Sequence, residues 1–342
     1  MISLLGAPGD ASRLFEDEVV KAFSDKLRAG IDIPNYPQFR DMNEMFLEVI
    51  RGVEKADGGY LVTGDVSAKP RASIPEVDAL KRNVSKIKGL AKVEEFSVKV
   101  CVTGPYTLAS FFQGKDPGLF LDLGQAIADI ASNSLFSTRD AEVKLLWIDE
   151  PVLGFLSDPL LDYGSEGRDT LRKAWETICL EAASRDIETG IHLHNTSDSL
   201  FWEVEHLDLV ESHVGDPLYS SSSTKRRLEE TDKRMKASIS ITIFDNLIEN
   251  KLREEGEHED LLQRVADVWR EIKNQSVDPY VFLETSEVML ARLRKIVDYF
   301  GPEYVPYAGP ECGVLSFPTY ECAMECLRRV SKAEDAYNAA DE

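Results

Sequence analysis

Two of the five histidines, His192 and His194, stand two residues apart in the segment 190–198. In an extended strand, side chains at that spacing point to the same face. Far downstream, Cys312 lies between a glutamate and a glycine in the segment 309–313. Imidazoles at the end of one strand and a thiol at the end of another can together bind a soft divalent metal. The same residues also fit hydrogen-bonded core histidines and a buried structural cysteine.

The elements that would position these side chains alternate between short β-branched runs and longer amphipathic stretches, a pattern typical of a parallel sheet covered by helices. Eight runs are predicted core strands: 2–5, 30–33, 97–102, 143–148, 189–194, 207–212, 238–243 and 304–307. Helices are predicted over 125–137, 168–184, 259–273, 286–299 and 320–330. An extra hairpin is predicted over 58–73. The sequence therefore predicts an α/β fold, a single (β/α)8 TIM barrel over 1–331 with an acidic, frayed tail over 332–342.

Composition restricts the partners. The chain has 342 residues, 43% of them hydrophobic, and a formal net charge of −22. That charge would repel nucleic acid and anionic membrane surfaces, so we expect a small-molecule substrate. The five cysteines have no framework spacing, no signal-like segment opens the sequence, and no apolar run reaches about 18 residues. These features predict a cytoplasmic protein, with Cys322 and Cys326 packed on one helix face.

In a barrel of this kind the active site lies at the carboxyl ends of the strands. Three of the predicted strands end close to a possible metal ligand, namely His194, His213 and Cys312. Because the chain has so few histidines, their coincidence at strand ends makes a metal site as well supported as a purely structural role. The same ends carry acidic residues, among them Asp149 and Glu211.

Four segments resemble, in the same order, the catalytic half of cobalamin-independent methionine synthases and of their short core relatives. They are Val-Thr-Gly-Pro-Tyr-Thr-Leu at 102–108, Trp-Ile-Asp-Glu-Pro-Val-Leu at 147–153, Ile-His-Leu-His at 191–194 and Ala-Gly-Pro-Glu-Cys-Gly at 308–313. The resemblance spans about residues 1–331. It implies a barrel of the uroporphyrinogen decarboxylase and methionine synthase superfamily, in which Zn²⁺ activates a thiol that accepts a methyl group.

The resemblance also implies roles for particular residues. His194 and Cys312 match zinc ligands of the family, whereas the position of its second zinc cysteine is Thr196. The family's zinc glutamate falls on His213, five residues after an aspartate of the sixth strand. Glu211 lies on the same face and is the alternative ligand. We predict a zinc ion held by His194, His213 and Cys312, with Glu211 or water in the fourth position.

The implied substrate contacts are less complete. Asp149 matches the carboxylate that holds the amino group of the substrate, and it is the predicted catalytic residue. Gly6, Tyr36 and Thr196 are the other predicted substrate-binding residues. A serine of the family is replaced by Ala7, a glutamate falls near Tyr36, and a histidine of the catalytic loop corresponds approximately to Leu247.

Several functions stay open at this point. The leading prediction is methyl transfer from a corrinoid or folate-type carrier, methylcobalamin or a methyl-folate, to homocysteine or a similar thiol. The resemblance implies that the long folate-using enzymes have an additional N-terminal barrel, which this sequence lacks, so we expect a corrinoid donor, free or held by a carrier protein. The alternatives are transfer to another thiol such as coenzyme M, a metal-free decarboxylase or lyase using Asp149, Glu150 and Asp245, and a non-catalytic ligand-binding relative.

Overall fold

A computed structural model describes residues 8–155 and 157–340, with side chains from residue 12 onward. The helices are α1 (Pro8–Arg28), α2 (Glu44–Leu47), α3 (Pro75–Arg82), α4 (Val84–Ala91), α5 (Pro105–Ala109), α6 (Pro117–Ser134), α7 (Glu166–Ala183), α8 (Ser222–Glu230), α9 (Phe244–Glu254), α10 (Leu261–Lys273), α11 (Ser286–Phe300) and α12 (Tyr320–Asn338). The strands are β1 (Ile50–Ala56), β2 (Gly59–Ala68), β3 (Phe96–Thr103), β4 (Ala141–Glu150), β5 (Glu188–Leu193), β6 (Leu209–Glu211), β7 (Arg234–Ser240) and β8 (Tyr307–Pro310).

The strands form two sheets. An antiparallel hairpin joins β1 to β2, and the other six strands form a sheet whose order follows the chain from β3 to β8. Within this sheet β3 pairs parallel with β4, β4 with β5, and β7 with β8. The α/β class is therefore confirmed, whereas the eight parallel strands of a complete barrel are not found among the described residues. The described residues form two compact units, one of residues 8–28, 32–155 and 157–210 and one of residues 29–31 and 211–340.

The first unit is built on β3, β4 and β5. Asp149 of β4 is the register partner of Thr103 on β3 and of His192 on β5, so the ends of the three strands lie level. Helices α6 and α7 pack closely, since a Cβ atom on Gly124 would lie 2.6 Å from the Cβ of Ala174. Both faces are covered at residues 100–103 of β3 and 145–148 of β4, which are buried, whereas Glu142 and Lys144 at the start of β4 are exposed.

The second unit contains β7 and β8 with α8 to α12. Its apolar core gathers Phe244, Leu247 and Phe282 with Cys322 and Cys326 of α12. Both cysteines are free and buried in this core, which confirms their predicted packing role. Burial raises the pKa of Cys322 to about 12 and that of Cys326 to about 11, so both thiols stay protonated at neutral pH.

Two of the predicted strands precede β3 in the chain. The first, 2–5, lies outside the described residues. The second, 30–33, is wrong, because the chain pairs with β3 only further on, at Asn35 opposite Lys99. There the amide of Lys99 donates to the carbonyl of Pro34, and the amide of Tyr36 donates to the carbonyl of Lys99. The proline has no N–H of its own and cannot extend the ladder into a longer strand.

Other boundaries also differ from the prediction. The hairpin starts at Ile50 and turns at residues 57–58, earlier than predicted. Strand β7 begins at Arg234 and β8 begins at Tyr307, each displaced from the predicted run. Helix α12 continues to Asn338 and buries Ala333, so the segment 332–338 is not frayed. The assignment of 1–331 to a single catalytic domain stays a prediction. Among the described helices, none is long and apolar enough to cross a bilayer.

Candidate metal and substrate site

Two adjacent carboxylates end β4, and they have different surroundings. Glu150 is buried, and its Oε1 accepts hydrogen bonds from the amide of Tyr106 and the indole N–H of Trp175, both at 2.9 Å. Its Oε2 accepts from the amide and the hydroxyl of Thr107 at 2.7 and 2.6 Å. Burial raises the pKa of Glu150, and the hydrogen bonds from Thr107 and Trp175 oppose that rise. The carboxylate therefore anchors the first turn of α5 to β4.

This anchor explains the glycine of the Thr-Gly-Pro motif. A Cβ atom on Gly104 would overlap the carboxyl group of Glu150, so only glycine leaves room for the carboxylate under the helix start. Asp149, by contrast, is only partly buried at the strand end. Its register partner on β5 is His192, and paired residues of parallel strands project to the same side. Asp149 is thus next to an imidazole and partly accessible.

Strand β5 carries the imidazole pair. His192 is buried and His194 follows the strand, partly exposed. Their ring centroids lie 5.0 Å apart with a T-shaped orientation, and the two rings offer donor atoms within 4.8 Å of each other. The prediction that this spacing puts both rings on one face is therefore confirmed. Of these two histidines, the predicted ligand set includes His194 but not His192, although the same two-residue spacing pointed to both.

The loop that follows β5 is fixed by hydrogen bonds and contains Thr196. Arg168 of α7 forms an ion pair with Asp198, with Nη1 to Oδ2 at 2.8 Å. The side-chain amide of Asn195 donates to the carbonyl of Gly154 at 3.0 Å. Thr196 lies between these anchors in the chain and is partly buried. Whether it contacts substrate stays a prediction.

In the second unit, Glu211 ends β6 and forms a buried ion pair with Lys236 of β7. The ammonium of Lys236 also donates to the carbonyl of Pro310 on β8 at 2.8 Å. A buried charge needs such partners to offset its lost hydration. The Glu211 carboxylate is therefore committed to a lysine, and the alternative ligand of the predicted pair, His213, is the better candidate.

His213 and Cys312 are the imidazole and the thiol of the second unit. Their donor atoms lie within 4.8 Å of each other. Two ligands of one tetrahedral zinc ion stand about 3.3 to 3.8 Å apart, given zinc bonds of about 2.0 to 2.3 Å, so a small closure would suffice. Nitrogen and thiolate sulfur are also the donor types that zinc prefers. The residues present therefore fit this metal.

A cavity of about 250 Å³ opens beside His213. One wall is the polar face of α9, where three side chains recur at helical spacing. The lining residues are His213, Val214, Ile241, Asn246, Glu249, Asn250 and Glu311. The space is large enough for a small amino acid and is mainly polar.

The remaining predicted residues take other places. Gly6 and Ala7 lie outside the described residues. Tyr36 is fully buried, and its hydroxyl donates to the carbonyl of Cys101 at 2.8 Å, so the ring supports β3. Burial raises the pKa of Tyr36 well above 10, which keeps the hydroxyl neutral. Leu247 is buried in the apolar core of the second unit and brings no imidazole to a loop.

Of the three carboxylates of the predicted lyase, Glu150 is occupied by structural contacts. It is buried and accepts four hydrogen bonds, whereas Asp149 is partly exposed and Asp245 lies on the surface, where it accepts from the indole N–H of Trp269 at 2.7 Å. Glu150 is therefore not available to exchange protons with a substrate, which removes one of the three groups that the predicted lyase needs. The geometry therefore favours the metal-type function over the metal-free lyase.

Comparisons with known proteins agree with this assignment. The family model of the catalytic domain of cobalamin-independent synthase matches residues 6–299. Methionine synthase of Saccharolobus solfataricus is 24% identical over 313 residues, covering 89% of this chain and 79% of the relative. Methionine synthase of Sulfolobus acidocaldarius is 22% identical over 319 residues, covering 90% of this chain and 78% of the relative. A solved B12-independent methionine synthase from Shewanella sp. W3-18-1, in complex with selenomethionine, superposes with a TM-score of 0.63 at 15% identity, covering 98% and 91%.

The α/β fold together with the match to this catalytic domain and to methionine synthases defines an α/β methyltransferase, and the protein is such an enzyme. The chain belongs to the cobalamin-independent methionine synthase family, through its catalytic domain. This membership confirms the resemblance read from the sequence. The expected cobalamin cofactor conflicts with the cobalamin independence of the family, and the comparisons do not support a corrinoid carrier protein.

Proposed function

We propose that this enzyme transfers a methyl group to the thiol of homocysteine, giving methionine, and that it does so with a zinc ion. The observation that carries the proposal is the close pairing of an imidazole with a thiol, His213 with Cys312, in a chain that matches this family over residues 6–299. The imidazole pair on β5, His192 with His194, is consistent with the same chemistry.

The proposed ligands are His194, His213 and Cys312, which leaves one tetrahedral position for the substrate thiol. Bound Zn²⁺ would lower the pKa of a coordinated thiol and so stabilise its nucleophilic thiolate. Glu211 forms an ion pair with Lys236, which favours His213, two residues after β6, as the ligand of the predicted pair. Asp149 is partly buried and is the register partner of His192. It is proposed to hold the ammonium group of the amino acid through a charge-assisted hydrogen bond.

The proposed methyl donor is a methylated folate, the donor class among those predicted that agrees with cobalamin independence. Tyr36 bears on the acceptor. Its hydroxyl is buried, neutral and bonded to the carbonyl of Cys101, so it does not offer a charge to an ammonium group. Of the two predicted residues, Asp149 alone is left to bind the amino group. An acceptor thiol without an amino group is the alternative that this observation favours.

The metal is tested by elemental analysis of the purified full-length protein. We expect about one zinc per chain, and a clear loss of zinc in Cys312→Ser because a hydroxyl replaces a soft thiolate ligand. His213→Gln and Glu211→Gln form a matched pair, each giving an uncharged amide on the same strand end. We expect zinc loss in His213→Gln only. Full zinc content in Cys312→Ser would refute the ligand assignment.

Activity is tested with the zinc-loaded protein and methylated folate as donor. The acceptors are homocysteine and a matched thiol without the amino group, and products are detected by mass spectrometry. We expect a methyl thioether from homocysteine and little product with Cys312→Ser. Transfer only to the thiol without an amino group would assign a different acceptor, and no transfer to either thiol would contradict the proposal.

A further inference from the structure

The carboxylate of Glu311 lies at a junction between two loops of the second unit. It is 3% exposed, and its two oxygens accept hydrogen bonds from different parts of the backbone. Oε2 accepts from the amide of Val214 at 2.8 Å, and Oε1 accepts from the amide of Thr242 at 2.9 Å. The amide of Glu311 itself donates to the carbonyl of Ser240 at 3.0 Å. Each oxygen thus ties the end of β8 to another strand end.

The residues on either side of these contacts are the proposed ligands. Val214 directly follows His213, and Cys312 directly follows Glu311. We propose that Glu311 is a positioning residue, which holds His213 and Cys312 at a fixed separation for the metal. This inference rests on the proposed metal function. Groups that orient ligands in this way typically change metal affinity when they are removed.

The chemistry of the carboxylate suits the task. An ionised carboxylate only accepts hydrogen bonds, and both of its partners here are N–H donors. The isosteric carboxamide of Glu311→Gln would turn its NH₂ group toward one of these donors. One of the two ties would then break and the loop would move, while the volume of the side chain stays the same.

The chain offers a matched control in Glu284. Its Oε2 accepts from the amide of Ile241 at 2.8 Å, next to the amide that Glu311 holds. Glu284 is largely buried and forms an ion pair with Arg292 at 2.6 Å. It therefore supports the same end of β7, whereas the amide of Val214, the residue after His213, donates to Glu311. Glu284→Gln reproduces the loss of a largely buried carboxylate without breaking the tie between the two ligand segments.

The experiment compares wild type, Glu311→Gln and Glu284→Gln as full-length proteins. Zinc affinity is measured by competition with a chelator, and ligand geometry by the absorption spectrum of the Co²⁺-substituted protein. Amide hydrogen exchange of peptides covering 213–216 is measured on the metal-free proteins. In Glu311→Gln we expect zinc affinity about tenfold to a hundredfold weaker, a changed Co²⁺ spectrum and faster exchange at 213–216. Glu284→Gln should match wild type in all three.

The outcomes separate this inference from the proposed function. If wild type binds zinc and Glu311→Gln binds it equally with the same spectrum, the positioning role is wrong and the metal centre stands. If Glu284→Gln weakens zinc as much as Glu311→Gln, the loss reflects general destabilisation and the role is also wrong. If wild type binds no zinc, both proposals fail. Should Glu311→Gln not fold, Glu311→Asp tests the same point, because its shorter side chain keeps the charge but cannot reach both amides.

Discussion

The buried ion pair between Lys236 and Glu211 allows a sharp test of what holds the second unit together. Lys236 is 9% exposed and Glu211 is 2% exposed, and the lysine also donates to the carbonyl of Pro310. In Lys236→Met the length of the side chain is kept and the positive charge is removed. The carboxylate of Glu211 then remains buried without its main partner.

The expected cost follows from that arrangement. Breaking a buried ion pair by removing one partner destabilises a protein by about 3 to 5 kcal/mol, because the remaining charge is left uncompensated. The lost hydrogen bond to Pro310 contributes about 1 kcal/mol within that range. Removing the second charge as well, in Lys236→Met with Glu211→Gln, should recover most of the loss. A domain is stable by about 5 to 15 kcal/mol in total, so the single variant would lose a large share.

The assay is equilibrium unfolding in urea of the metal-free proteins, for wild type, the two single variants and the double variant. The coupling energy of this double-mutant cycle isolates the pair from the effects of each side chain alone. A Lys236→Met protein within about 1 kcal/mol of wild type, or a double variant whose loss equals the sum of the single losses, would refute the account of Glu211 as a residue committed to Lys236.

Three further predictions concern the first unit. Asp149→Asn should raise the Michaelis constant for homocysteine about thirtyfold, equivalent to about 2 kcal/mol, without loss of zinc; an unchanged constant for every thiol would show that Asp149 is structural. Gly104→Ala should lower the unfolding free energy by about 1 to 3 kcal/mol, since its methyl group overlaps the Glu150 carboxylate, and wild-type stability would contradict that crowding. Burial lowers the pKa of Lys26 to about 8, so the unfolded state binds more protons between about pH 8 and 10.5 and stability should rise with pH there. In urea unfolding from pH 8 to 10.5, the unfolding free energy of Lys26→Met should rise less steeply with pH than that of wild type, and parallel curves would refute this.

The sequence predicted the centre of the fold well and its margins poorly. Strands β3, β4 and β5 were predicted because each contains β-branched residues, and in each of them at least four consecutive residues are buried. The segment 30–33 was wrongly predicted as a strand. The pairing with β3 lies further on and uses backbone groups of Pro34 and Tyr36, which the side-chain pattern does not reveal. Strand β7 was displaced because Arg234 and Lys236 read as surface residues, although Lys236 is buried.

The same limit applies to the site. The ligands His194, His213 and Cys312 could be proposed from the sequence because imidazole and thiol are rare groups with few other uses at strand ends. The carboxylates and the lysine around them could not, because acidic and basic residues are common and their partners are far apart in the chain. Lys236 meets Glu211 across 25 residues, and Glu311 meets Val214 across 97.

These hidden contacts constrain how the second unit can vary. Each one joins a charged side chain to a strand end beside a proposed ligand, so the ligand types alone do not define a metal centre. A related chain that kept His213 and Cys312 but lost Glu311 would retain the donor atoms without the contact that joins their two segments. Because a metal ion needs its ligands within a few tenths of an ångström of their final positions, such a chain should bind zinc weakly even though its ligands look intact.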